Sequence, residues 1–570
     1  MKKPLLSELT LREKIGQMFM AHQWDINRVS RGADWKTLRT TEEKRKLLEY
    51  EKFGIINAMP GAGCRGLNER LENNLLNPNG SPSYAEESEE HGIWLEEQSV
   101  LYNKIPHLIS ADAERDGAGS VYTDLTVTCC PLAIGATNDE DLAFALGAAI
   151  ARELRCVGIN WRWAPVVDLH SRFSAGITRS YTADDPDKMI KIANAHIRGV
   201  QSEGVAATAK HFPGNDGYEY RDSHFCPAMN SSTLEEWWAG QGKIFQAVID
   251  GGVYSIMTSH KAFPAVDDEK INGQYIPVTL SKKVTTDLLK EKMGFKGVVI
   301  TDAIEMNSLL SLMPYDELII RMINAGNDAI LGVFLNTGDI VVKAVEEGRI
   351  SEDRINDACQ RILDMKEKLG LFEDGYKGRC KIASEEAPKT RKINEEIARR
   401  AITLVRDRTN MLPFDKSKVK KVSVICSTHE DAFFEKDLLA FKKAFEDRGI
   451  AVYMQRRLKS NEELAEISKD SDIIIYAGYT NMHAPYGGPN LYGEECKTYL
   501  YAFTSGREKS VGVSFGYPYL HYDIMGSADA FINAYSKSPE MMRAVVQGIL
   551  GEIPISGKSP VKLEPARRSW

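Results

Sequence analysis

Cysteine is scarce, with nine in 570 residues, and no two stand as C-x-x-C. That excludes a disulfide framework and a cysteine zinc site, and the cysteines read as reduced thiols, the adjacent Cys129 and Cys130 as a buried structural pair. Long apolar runs are missing too. No stretch approaches the roughly 20 residues of a spanning helix, so no membrane partner is expected. The opening MKKPLLSELTLREKIGQMFM contains no uninterrupted apolar region, so no secretory signal is visible and a cytoplasmic protein is the expectation. Positive charge is not in excess. Lys and Arg number 72 against 80 Asp and Glu, a net charge of -8, which argues against nucleic acid as the partner and favours a neutral substrate. The eleven histidines show no H-x-x-x-H spacing, so neither a metal nor another cofactor is expected. Internal repeats, coiled coil and low-complexity tracts are likewise absent.

What is present is a rhythm. Short apolar runs recur at 54–59, 107–111, 159–167, 205–210, 253–258, 298–301 and 329–333, and longer amphipathic segments such as 141–156 and 188–204 separate them. Strands alternating with helices imply parallel pairing, and over about 340 residues they predict a TIM-like (β/α)8 barrel. Thr10 and Glu13 form a capping box for a helix over 10–20, with Leu11, Ile15, Met18 and Phe19 on one face. The polar stretch 373–395 reads as a linker between a barrel domain at 1–372 and a smaller domain at 396–570. That second domain shows strands near 422–426, 473–477, 511–515 and 530–534, with helices near 435–448 and 539–550, the pattern of a doubly wound α/β sandwich. The fold class is therefore α/β.

In a parallel barrel, catalytic groups gather where strands end. Val298 to Thr301 is an apolar run that delivers Asp302 at its carboxyl end, where a carboxylate can attack an anomeric carbon. The same position also suits a helix cap. The run 206–209 ends in Lys210 and His211, followed by Phe212-Pro213-Gly214, and Asp222-Ser223-His224 lies on the loop beyond. An aspartate two residues from a histidine can orient its ring for proton transfer. Alone, such a pair is usually structural, and its weight here comes from the neighbouring strand end.

Lys210 to Gly214, Asp222 to His224 and Gly297 to Met306 resemble glycoside hydrolase family 3, and especially its β-N-acetylglucosaminidase branch. The similarity extends to Leu11–Met20, to Asn160–Asp168 followed by Arg179-Ser180-Tyr181, and to segments of the carboxyl-terminal half. The resemblance implies a carbohydrate substrate, Asp302 as nucleophile, His224 as acid/base with Asp222 as its partner, and Asp112, Arg179, Lys210 and His211 on the sugar hydroxyls. It implies exo-acting, retaining release of terminal β-linked N-acetylglucosamine. A histidine in place of a second carboxylate also leaves room for phosphate as the acceptor. Two departures stand out. The family's Asp-x-Glu-Gly-Gly-Arg reads Asp112-Ala113-Glu114-Arg115-Asp116-Gly117 here, and the loop from Gly214 to Asp222 is long and carries Glu219 as a rival acid.

Three readings follow: the hexosaminidase; a β-glucosidase or β-xylosidase drawing its acid from Glu219, Glu494 or Glu495; and a sugar-binding protein on a degenerate hydrolase scaffold. Gly61-Ala-Gly-Cys-Arg-Gly66 matches G-x-G-x-x-G, but no acidic strand end follows at the required distance. Gly551–Ser559 narrowly misses a P-loop. Trp161, Trp163, Trp237 and Trp238 are aromatic enough to stack on sugars but more often belong to a core.

Overall fold

The computed structural model describes residues 2–22, 46, 49–57, 105–121, 125–174, 176–219, 221, 223–374, 376, 383–480, 491, 493–502, 504–524 and 528–563. They form two compact units. The first gathers Met1–Val127, Phe144–Asp168 and Ala193–Lys389. Its strands are β1 Phe19–His22, β2 Ile55–Asn57, β3 Leu108–Ala111, β4 Trp161–Arg162, β5 Ala206–Phe212, β6 Ser255–Thr258, β7 Val298–Thr301 and β8 Ile330–Leu331. They pair in parallel in the order β8-β1-β2-β3-β4-β5-β6-β7, and a parallel bridge from Ile300 to Ala329 joins the two ends, which closes a TIM-like barrel.

Strands β2 to β8 fall where the apolar runs put them, although β4 keeps only two residues of its run. Strand β1 corrects the reading of 10–20 as one helix. Thr10 and Glu13 do cap helix α1, Leu11–Gln17, with Glu13 N donating to Thr10 Oγ1 (3.3 Å) and Thr10 N to Glu13 Oε2 (2.8 Å). The helix stops at Gln17, and Phe19 and Met20 pair with Ile330 and Leu331. Met18, Phe19, Met20 and Ala21 are all buried. A run with no polar side suits a strand covered on both faces, which is how parallel strands are built.

One apolar cluster runs from Ile15 on α1 through Phe19, Ile55, Leu108, Trp161, Val298 and Ile330 to the outer helices. Trp161, Trp163 and Trp237 belong to the interior, and the indole N–H groups of Trp161 and Trp237 donate to Thr208 Oγ1 (2.9 Å) and the Pro213 carbonyl (2.8 Å). Buried indoles need such partners. No described helix is long and apolar enough to cross a membrane.

The second unit gathers Thr128–Ala143, Leu169–Ile192 and Thr390–Trp570, so it draws two segments from within 1–372. These are tied to the rest of the unit by Cys129 N to Asn394 Oδ1 (2.6 Å), Lys558 N to the Ala136 carbonyl (3.0 Å), Thr182 Oγ1 to the Pro560 carbonyl (2.6 Å) and Lys562 N to Asp184 Oδ2 (2.8 Å). Part of the polar stretch 373–395 is helical, in Ala383–Ala401. The sheet contains β9 Thr403–Asp407, β10 Lys421–Thr428, β11 Ala451–Arg456, β12 Ile473–Tyr479, β13 Ser510–Ser514 and β14 Ala530–Asn533, in the order β9-β14-β13-β12-β10-β11. All pairs are parallel except β9 with β14. The two strands not predicted, β9 and β11, are the sheet edges, and their half-exposed residues produce no apolar run. Cys129 and Cys130 are buried thiols, the latter donating to the Tyr535 carbonyl (3.0 Å).

Candidate active site

The carboxyl ends of five adjacent strands, β3 to β7, supply the polar groups. Asp302 follows β7, its N–H donating to the Thr258 carbonyl on β6 (2.9 Å) and its Oδ1 accepting the local N–H of Ala303 (2.8 Å). The next helix, Asn307–Leu310, is preceded by Met306 at its N-cap. Asp302 therefore does not cap it.

Burial would raise the Asp302 pKa, but the electrostatic influence of His211, His260, His224 and Lys210 outweighs it and holds the carboxyl at about 2. The Asp302 carboxylate is thus ionised across the working pH range. Lys210 and His211 end β5. Lys210 is nearly fully buried, donates to Asp112 Oδ1 (2.9 Å) and forms a close pair with Glu114. Two carboxylates from the segment after β3 thereby fix its ammonium. His211 donates from its backbone N–H to Asp168 Oδ1 (3.0 Å) and pairs through Nδ1 with Asp168 Oδ2 (2.8 Å). A carboxylate can only accept, so Nδ1 carries the proton.

His260, just after β6, was not singled out from the sequence. Its Nε2 lies 2.9 Å from the Ala303 carbonyl, and its Nδ1 3.0 Å from Thr279 Oγ1. The carbonyl makes Nε2 the donor and Nδ1 the acceptor of the threonine hydroxyl. Burial lowers its pKa more than the Asp302 charge raises it, so the ring stays neutral and works as a brace for the segment bearing Asp302. The signal was available, since Ser259-His260 directly follows an apolar run. Asp168, at the end of 159–167, and Glu114 offered the same signal.

His224 is exposed and lies near enough to Asp302 for its charge to act there. Its carbonyl accepts Asn307 N (3.2 Å), which links its loop to the segment beyond Asp302. Asp222 lies outside the described residues, as does the glycine motif at 61–66. The loop is anchored on both sides. Asp216 accepts the N–H groups of Tyr218 (2.8 Å) and Glu219 (2.6 Å) and, on its other oxygen, Ser231 N and Oγ (both 2.5 Å).

Glu219 accepts Arg221 N (2.9 Å), the Arg221 guanidinium and Met229 N (3.1 Å). Burial works to raise its pKa, but these donors hold it below the ordinary glutamate range. A general acid needs a proton at neutral pH, so Glu219 is suited to bracing rather than to catalysis. Glu219→Gln is accordingly expected to lower turnover of a poor-leaving-group glycoside by less than about tenfold, through loop loosening alone. A collapse on poor leaving groups with good ones spared would make it the acid instead. Glu495, in the second unit, is buried, accepts Thr428 N (3.1 Å) and lies 3.3 Å from Arg456 and 3.5 Å from Arg457, an equally structural role.

Arg179 ends the one-turn helix Ile177–Arg179 in the second unit, where His170 bridges Ser174 and Ser180 (2.9 Å each). Arg115 pairs with Asp116 (3.1 Å). The near P-loop at 551–559 follows a helix and leads into coil, the reverse of the strand-to-helix turn that cradles phosphate.

Residues 10–365 match the family described as Glycosyl hydrolase family 3 N terminal domain. Among curated relatives, a β-N-acetylglucosaminidase/β-glucosidase of Cellulomonas fimi is 28% identical over 487 residues, covering 80% of this chain and 84% of that protein. A β-hexosaminidase A of Pseudoalteromonas piscicida is 27% identical over 370 residues, 60% of each chain. Among solved structures, a β-glucoside phosphorylase bound to 2FGlc superposes with a TM-score of 0.80 at 27% identity, over 98% of this chain and 95% of that one. A family 3 β-N-acetylglucosaminidase from Paenibacillus sp. gives 0.78 at 26% identity, over 97% and 99%.

Proposed function

The chain belongs to glycosyl hydrolase family 3 and is a glycoside hydrolase; within that family we propose that it releases terminal β-linked N-acetylglucosamine through a covalent intermediate on Asp302. The observation that carries this reading is the convergence of Lys210, His211, His224 and His260 on one ionised carboxylate. Asp302 attacks the anomeric carbon as the bond to the leaving oxygen breaks, and His224 gives its proton to that oxygen. His224, now neutral, takes a proton from water, which attacks the same carbon and expels Asp302. Two inversions leave the configuration retained. Asp222 orients the His224 ring, while Asp112, Arg179, Lys210 and His211 hold the hydroxyls of the sugar.

The test is a comparison of initial rates on the 4-nitrophenyl β-glycosides of N-acetylglucosamine and glucose. A preference for the N-acetyl sugar of roughly tenfold or more is expected. A preference for glucose would remove the hexosaminidase assignment and move the enzyme to the β-glucosidase reading. A second reading concerns the acceptor. The similarity to a β-glucoside phosphorylase, together with a histidine rather than a carboxylate as proton donor, supports phosphate attack on the glycosyl-Asp302 ester. Accumulation of the sugar 1-phosphate when phosphate is added would establish it, and release of free sugar alone would dismiss it.

A further inference from the structure

The amino-terminal end of the barrel, opposite the catalytic rim, carries a cavity of about 520 Å³. Its wall includes five cations, Lys282, Lys290, Lys296, Arg354 and Arg361, against two carboxylates, Glu291 and Asp357. A third carboxylate, the fully buried Asp328, stands behind Lys290 (2.6 Å) and in close contact with Arg354, and also accepts Val299 N (2.9 Å). Asp357 is shared among Arg354, Arg361 and Lys290. Counting all three carboxylates still leaves two positive charges uncompensated. Those charges can be located, because the exposed Lys282 and Lys296 form no ion pair among the described residues.

Two further features point the same way. The Nε of Arg354 is buried and meets no acceptor among the described residues. Ser351, in the wall, is the N-cap of helix α2, Glu352–Lys368, whose positive end therefore faces the cavity. We propose that this cavity binds a phosphate-bearing anion, with Lys282, Lys296 and Arg354 as its charge partners. Two uncompensated cations match a dianion, and phosphate offers several acceptor oxygens to converging donors. Burial, together with the charges of Arg354 and Arg361, also lowers the pKa of Lys290 despite Asp328 beside it, a sign of crowded positive charge. The cavity backs onto the catalytic strand. Arg361 donates to the carbonyls of Phe295 (3.3 Å) and Gly297 (3.0 Å), which lead into β7, and Asp302 stands at the far end of that strand, roughly 16 Å away at the rise of an extended chain.

The chemistry is shared by free phosphate and by a phosphate monoester of a sugar, and equilibrium dialysis with inorganic phosphate and with a hexose 6-phosphate separates the two. Saturable binding at about 1 mM or tighter is expected, weakened roughly tenfold or more in the Lys282→Gln/Lys296→Gln variant. Neither lysine belongs to the catalytic machinery, so the variant's kcat and KM on a nitrophenyl glycoside should equal those of the parent, which also certifies its fold. Tighter binding of the ester assigns the ester as ligand, and equal binding assigns the free ion. Absence of saturable binding by both overturns the proposal. Binding that the double substitution leaves unchanged overturns it as well, because phosphate acting only as an acceptor at the catalytic rim would behave in that way.

Discussion

Replacing Asp302 by asparagine is expected to lower kcat/KM by about four orders of magnitude or more, with the fold retained. The size follows from the proposed role, since the described carboxylates beside it are engaged elsewhere: Asp168 on His211, and Asp112 and Glu114 on Lys210. Retention of the fold follows from geometry. The hydrogen bond that the Asp302 side chain accepts from Ala303 N is equally available to an asparagine oxygen. The substitution also removes the anion that Lys210, His211, His224 and His260 surround. Two measurements check this: steady-state rates on a nitrophenyl glycoside, and mass spectrometry of the parent after a 2-fluoro sugar, which should leave a glycosyl adduct on Asp302. An active Asp302→Asn enzyme, or an adduct on another residue, would refute the assignment.

The second large effect concerns stability. Lys366 is fully buried in the barrel unit, and burial pushes its pKa down to about 7. Its ammonium donates to Gln17 Oε1 (2.6 Å), at the end of α1, and to the Gly54 carbonyl (3.1 Å), just before β2. No carboxylate faces it in either contact. Its titrating neighbours are silent in the range that matters, because burial holds His107 neutral down to about 3 and keeps the Cys359 thiol protonated up to about 12. With a lower pKa folded than unfolded, Lys366 binds its proton more tightly in the unfolded chain between pH 7 and 10.5. Stability from this group therefore rises with pH through that window, by up to about 1.4 kcal/mol per pH unit, and is flat below it. In Lys366→Met the rise should disappear. The difference in unfolding free energy between parent and variant should change by on the order of 4 kcal/mol from pH 6 to pH 10. Denaturant unfolding at the two pH values measures it, and parallel curves would show that the lysine stays charged when folded.

Much of the barrel was legible because a strand buried on both faces writes itself as an uninterrupted apolar run, and the run 298–301 matches β7 residue for residue. The failure at Phe19–His22 has the same origin. A fully buried segment carries no periodicity, and Ile15 and Phe19 happen to sit four apart, so the run was absorbed into the helix before it. At the site, Asp302, Lys210 and His211 could be read because each ends a strong run. His260 fulfils the same condition and was missed, since a histidine beside a serine suggests no reaction until its contact with the segment after Asp302 is seen. The donors that hold Glu219 ionised were invisible for a similar reason: the backbone N–H of Met229 meets it only once the loop folds back, beside the neighbouring Arg221.

The smaller unit is assembled from pieces that leave the ribosome far apart in time. Thr182 waits for Pro560 and Asp184 for Lys562, and the roughly 370 residues between them take on the order of 20–70 s to synthesise. Through that interval the stretches 128–143 and 169–192 hold apolar surface without the strands that will cover it, so the growing chain carries a sticky half-made face. A stop codon shortly before residue 558 would therefore damage residues made hundreds of positions earlier, and in newly made chains 128–143 and 169–192 should become protease-resistant only once residues 558–562 have emerged.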